Sequence, residues 1–128
     1  MPDSGEPPLA EALLRIRNED AADGVLILEA EGELDLSTAG QLHDSLMTPI
    51  SEGLDVVVDL TRVSFIDSSG IAALIRAFRS LDGTGRMSVL IAPSSQVARV
   101  FKLANINDAL PIFMDRAEAV GGLSAPAD

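Results

Sequence analysis

A chain of 128 residues, 47% apolar and 23% charged, has the size and composition of one globular domain with a core of its own, not of a disordered chain. It contains no cysteine and one histidine, which excludes disulfides, thiolate metal sites, a cysteine nucleophile and a histidine-rich metal cluster. The formal charge of −11 argues against a nucleic-acid backbone or an anionic membrane as the main partner.

Residues 1–9 hold three of the seven prolines and read as a disordered tail. They show no basic n-region or apolar h-region, and no apolar run in the chain approaches the ~18–20 residues that span a bilayer, so the expectation is a soluble cytoplasmic domain. "ALLRIRN" alternates from Leu14 to Arg17 and predicts a short strand. "GVLILEAEGEL" alternates more plainly, with Val25 and Ile27 on one face and Leu26, Leu28 and Ala30 on the other. "EDAADG" between them supplies turn residues, so the two strands form an antiparallel hairpin.

The pattern then becomes helical. Ala39, Leu42, Leu46 and Ile50 repeat at three and four residues behind Ser37 or Thr38 as N-cap. "LDVVVDL" is β-branched and apolar on both faces, as a central strand must be. After "TRVSFIDSSG" a second helix buries Ile71, Leu74, Ile75 and Phe78 and turns Arg76 and Arg79 outward, ending at "DGTG". "RMSVLIA" predicts another buried strand and "PSSQVARVFKLA" a third helix opening on Pro93 and two serines. "LPIFM" is a last short strand and "DRAEAVGGL" a last helix with Asp115 near its cap. The domain is expected over residues 11–121, with 122–128 as a C-terminal tail. The order β-β-α-β-α-β-α-β-α calls for an α/β fold, a mixed, mostly parallel central sheet of about four to five strands flanked by about four helices.

Catalytic constellations are hard to assemble from these residues, and the chain reads as no enzyme. "IDSSGIA" is not the G-x-S-x-G nucleophile elbow, and His43 lies beside the apolar stripe of the first helix. "DGTG" lacks the length and position of a dinucleotide fingerprint. Asp35, Asp59 and Asp67 make a carboxylate-bound Mg²⁺ conceivable, but aspartates at strand ends more often cap helices and turns; no metal and no cofactor is expected. Asp67-Ser68-Ser69-Gly70 stands out because one capping residue would suffice and three candidates stand in a row. A helix start tolerates an anion, so a phosphate on a serine there would alter the surface without breaking the helix. The charge is also uneven: residues 1–59 hold 14 acids and 2 arginines, residues 60–128 only 6 acids with 7 bases. The acidic half is either a solvated face or a docking surface for a basic partner.

"GELDLSTA" (Gly32–Ala39), "VVVDLTRVSFIDSSGIAAL" (Val56–Leu74) and "MSVLIAPSSQVARVFKLANIND" together resemble the STAS domain of bacterial anti-sigma factor antagonists, from about Leu13 to Val120. The resemblance implies a cytoplasmic partner switch. Unphosphorylated, such an antagonist binds an anti-sigma factor that is also a serine kinase and so releases a sigma factor. Phosphorylation breaks the complex, and a metal-dependent PP2C-type phosphatase restores it. The implied phosphoacceptor is Ser68, the serine directly after the aspartate. Asp67, Asp35 of the "GELD" element, Ser69 and Gly70 are implied in partner binding, with ATP and Mg²⁺ on the kinase. A second member of the same fold family, the STAS interaction subunit of a phospholipid-transport ABC complex, is the alternative role.

Overall fold

The alternating segments open the fold as a hairpin: β1 (Leu14–Asp20) and β2 (Val25–Leu34) pair antiparallel, with Leu14 opposite Gly32 and Asp20 opposite Leu26. In the computed structural model, which describes residues 14–21, 24–81, 83 and 85–124, every later strand pairs in parallel. These are β3 (Asp55–Ile66), β4 (Met87–Leu90) and β5 (Ile112–Phe113), giving the order β1-β2-β3-β4-β5. The helices are α1 (Ala39–Ser51), α2 (Ser68–Arg79), α3 (Gln96–Leu103) and α4 (Arg116–Ser124). This is the mixed, mostly parallel sheet that the alternation of strands and helices required.

The two-residue period of the strands decides which helix covers which face. Leu28, Ala30, Val56, Val58 and Val89 turn to the face covered by α1, α2 and α3. Val25, Ile27, Val57 and Leu90 turn to the other face, where α4 inserts Ala119 and Leu123. Each large side chain so buried contributes about 1.5–3 kcal/mol. In α1 the predicted stripe Ala39, Leu42, Leu46 and Ile50 is buried. In α2, Ile71 and Leu74 are buried as spaced, but Ala73 and Ala77 take the remaining core positions, leaving Ile75 and Phe78 half-buried.

β3 departs from the sequence expectation. "LDVVVDL" and "TRVSFI" form one strand of 12 residues, and its side chains do not simply alternate. Asp59 pairs with Glu29 and Arg62 with Glu31, so β3 spends one more residue than β2 between them; a second extra residue falls between Val63 and Phe65. The Asp59 carboxylate, itself buried, accepts from the Thr61 amide at 2.8 Å and the Thr61 hydroxyl at 2.7 Å, which holds the first irregularity. Each extra residue shifts the strand's parity. Val63 and Ile66 thereby return to the three-helix core, where uninterrupted alternation from Leu60 would not have kept them both.

The end of the domain also moves. The boundary at 121 falls inside α4, which continues to Ser124 with Leu123 buried. The helix runs through Gly121-Gly122 as "DRAEAVGGL" predicts, and a Cβ on Gly122 would stand 3.4 Å from the Phe113 ring of β5, an ordinary contact. The Arg86 guanidinium donates to the Leu123 carbonyl and ties down the last turn. The expected tail 1–9, the domain start at residue 11, and residues 125–128 lie outside the described residues, as do Ala22, Asp23, Asp82 and Thr84. Among the described residues no helix is long and apolar enough to cross a membrane.

Candidate functional site

β2 and β3 end side by side, Leu34 opposite Ile66, and the Asp67 amide donates to the Leu34 carbonyl at 3.1 Å. The loop that begins at Asp35 and the corner Asp67-Ser68 are therefore neighbours, although 32 positions separate Asp35 from Asp67 in the sequence. Gly70 makes this approach possible. A Cβ on it would stand 2.8 Å from Ile66 Cγ1 and 3.0 Å from both Cβ and the carbonyl oxygen of Leu34, and the last of these is backbone that cannot swing away. A third element holds the same corner. β4 pairs with β3 only from Val56 to Asp59, so Ile66 has no strand neighbour on that side. The Gln96 side chain of α3 takes the place of one: its Oε1 accepts from the Ile66 amide at 2.8 Å and its Nε2 donates to the Ile66 carbonyl at 3.1 Å.

At the corner the three capping candidates separate into different roles. Asp67 is the N-cap, in extended backbone, and its Oδ1 accepts from the amides of Ser69 at 2.9 Å and Gly70 at 3.4 Å. Ser68 is the first helical residue and exposed; its hydroxyl makes no hydrogen bond among the described residues. Ser69 is half-buried and Gly70 buried. The helix start is thus less open to an anion than its amides alone promise. Asp67 already uses two of them, so a phosphate on Ser68 would stand beside a carboxylate.

Asp35 organises the adjoining loop. Its Oδ1 accepts from the Ser37 amide at 3.0 Å and the Ser37 hydroxyl at 2.7 Å. The Ser37 hydroxyl bond, with the amide bond behind it, holds the Asp35 carboxyl below the usual carboxylate range. Thr38 stands at the N-cap position of α1 but does not cap with its side chain. Its buried hydroxyl donates to the Glu33 carbonyl at 2.7 Å and accepts from the Asp35 amide at 3.0 Å, closing the loop on itself.

Spacing alone missed several residues. Leu36 is 82% exposed and Phe65 40% exposed, one beside Asp35 and the other two residues before Asp67. They place two of the four exposed large apolar side chains among the described residues at the C-terminal ends of β2 and β3, on the rim that carries Ser68. Leu36 could have been found as a leucine off the helical stripe of "LDLSTAGQL"; Gln96 carries no such signal. The remaining candidates lie apart. His43 is on α1, its Nδ1 3.9 Å from the Asp44 carboxylate. Among the described residues no three His, Cys, Asp or Glu gather as a metal site, Asp35, Asp59 and Asp67 included.

Residues 18–119 match the family model of the STAS domain. The anti-sigma-B factor antagonist of Listeria monocytogenes is 33% identical over 82 residues, which cover 63% of this chain and 72% of the relative. An anti-sigma factor antagonist from Mycobacterium paratuberculosis shares the fold with a TM-score of 0.81 at 22% identity, covering 90% of this chain and 97% of that one. The Bacillus cell fate determinant SpoIIAA, in its phosphorylated form, does so with a TM-score of 0.60 at 24% identity, covering 84% of this chain and 98% of that one. With a STAS match over most of its length and an antagonist relative at a third identity, the chain belongs to the STAS domain family of anti-sigma factor antagonists.

Proposed function

We propose that this protein is an anti-sigma factor antagonist working in the cytoplasm. Unphosphorylated, it binds an anti-sigma serine kinase, which then releases its sigma factor; phosphorylated on Ser68, it lets the kinase go. The observation that carries the reading is the division of labour at the corner: Asp67 does the capping, so the exposed Ser68 hydroxyl is left with no structural task. In the transfer the γ-phosphoryl leaves ADP for Ser68 Oγ, and the serine proton passes to a base on the kinase, which also holds ATP and Mg²⁺. This chain supplies an acceptor and a surface, not catalysis. A PP2C-type phosphatase would hydrolyse the phosphoserine and reset the cycle.

The surface around Ser68 supports the docking half of the reading. Leu36 and Phe65 offer apolar area within a rim that also carries Asp35, Asp67 and the half-buried Ser69, while buried Gly70 contributes shape by keeping the two loops together. Phosphate adds about −1.5 to −2 charges at this point, beside two carboxylates, and replaces a neutral hydroxyl that a close interface would need. The relative named as an anti-sigma-B factor antagonist supports the antagonist role, and the SpoIIAA structure in its phosphorylated form supports a phosphorylated state of this fold.

The test is intact-mass spectrometry with peptide mapping after incubation with ATP and the anti-sigma kinases of the same cell. One added phosphate, on Ser68, is the expected result, with loss of kinase binding in the modified fraction. No phosphate with any of them, together with stable association with subunits of a lipid-transport complex, would replace this reading by the scaffold role.

A further inference from the structure

A second feature of the molecule lies away from the Ser68 corner. Between α3 and the C-terminal ends of β4 and β5 is a cleft of about 580 Å³, within the range that small-molecule sites occupy. Buried Ile91 and Phe101 and half-buried Ile112 line it, and Met114, 55% exposed, stands with them. Arg99 and Lys102, three residues apart on α3, add two exposed cations. No carboxylate lines the cleft, although the chain has 20 of them and the larger cleft between β1 and α1 carries Asp20 and Glu52 without a cation. Neither Arg99 nor Lys102 makes an ion pair among the described residues, whereas Arg17, Arg62, Arg86 and Arg116 each hold a carboxylate.

We infer that this cleft binds a free amphiphile with one anionic head and a medium-length hydrocarbon tail, a fatty carboxylate. The head is held by Arg99 and Lys102; the tail lies along Ile91, Phe101, Ile112 and Met114. An apolar lining alone would accept any hydrophobe, and two cations alone would accept any anion; their adjacency selects a ligand that carries both. Met114 suits the tail, since an unbranched thioether adapts to chains of different length. The site does not depend on Ser68 or on a kinase.

The test is titration of the isotope-labelled full chain with decanoate, below its micelle concentration, followed by amide chemical shifts. Saturable shifts at Ala98, Phe101, Ile112 and Met114 are expected, with decanol and acetate each binding at least tenfold more weakly. The double variant Arg99→Gln, Lys102→Gln should lose at least tenfold in decanoate affinity while its spectrum elsewhere is unchanged, because both side chains are exposed. Shifts that never saturate, equal binding of decanol, undiminished binding by the double variant, or shifts that map to another cleft would each overturn the inference.

Discussion

A serine at the first position of a helix ordinarily competes with its neighbours for the unpaired amides, and at this corner Asp67 has won that competition. The consequences for single substitutions are therefore opposite at adjacent positions. Asp67→Ala should cost about 0.5–2 kcal/mol in denaturant unfolding, the usual loss for an N-cap. Ser68→Ala should fall within about 0.5 kcal/mol of the parent, as expected of an exposed side chain with no bond to lose, while abolishing phosphorylation and sparing kinase binding. A large loss of stability in Ser68→Ala would return the serine to a structural role. Gly70→Ala should destabilise by about 1–3 kcal/mol, because its Cβ meets the Leu34 carbonyl and two side chains at once. At Asp35 the sign of the pH effect follows from its lowered pKa. The folded state favours the ionised carboxylate, so its contribution to stability is full above the ordinary carboxylate pKa and is lost as pH falls through the depressed value. Ser37→Ala should raise the Asp35 midpoint toward the ordinary range in a carboxyl-carbon NMR titration; an unmoved midpoint would show that another group sets it.

Among the elements, the end of β3 depends on a helix that comes 30 residues later in the chain. Gln96 supplies Ile66 with both a donor and an acceptor, in the way a neighbouring strand would. Gln96→Ala should leave those two backbone groups without their partner, at about 1–3 kcal/mol for a buried group left unsatisfied. Hydrogen exchange at the Ile66 amide should accelerate while that of Val57, deep in the β3–β4 ladder, stays slow; unchanged exchange at Ile66 would mean that water replaces the glutamine without loss. This contact also marks where the sequence stops being informative. The hairpin, the apolar strands and the stripe Ala39–Leu42–Leu46–Ile50 follow from periods of two and 3.6, which local residues dictate. That a helix starts at Asp67-Ser68-Ser69 was legible for the same reason, but only the bonds of the Asp67 carboxylate single it out among three capping candidates. The continuation of β3 through "TRVSFI" was not, because its two extra residues are defined only by the strand beside it and by the Asp59–Thr61 bonds. The helix "DRAEAVGGL" was legible too, but the Arg86 bond that ties down its last turn is one that no local pattern can bring near. The site divides in the same way. Ser68 and Asp67 announce themselves by their place at the start of a helix, while the exposure of Leu36 and Phe65 depends on the assembled rim.

For the molecule as a whole, the net charge of −11 matters less than where it is left uncompensated. Glu29 sits between Arg17 and Arg62, Glu19 meets Arg116, and Asp55 meets Arg86, so several acids of the N-terminal half are matched by cations. On the rim, Glu33, Asp35 and Asp67 have no ion pair among the described residues, and Asp35 is held ionised by Ser37. An uncompensated patch of one sign steers an oppositely charged partner, and steering appears in the association rate more than in the lifetime of the complex. If the rim is the kinase-docking face, the association rate should fall as ionic strength rises from about 0.01 to 0.15 M, where the screening length shortens from roughly 30 to 8 Å. Dissociation should change much less. Ser68→Asp should behave differently: one more charge in the same field would leave the salt-dependent approach intact or faster, yet weaken the complex by accelerating its dissociation, because a carboxylate replaces a hydroxyl inside the contact. Stopped-flow association and dissociation rates for parent and variant, across that salt range, separate the two effects. A salt-independent association rate would assign the acidic rim to solubility, and an unchanged dissociation rate in Ser68→Asp would place Ser68 outside the contact.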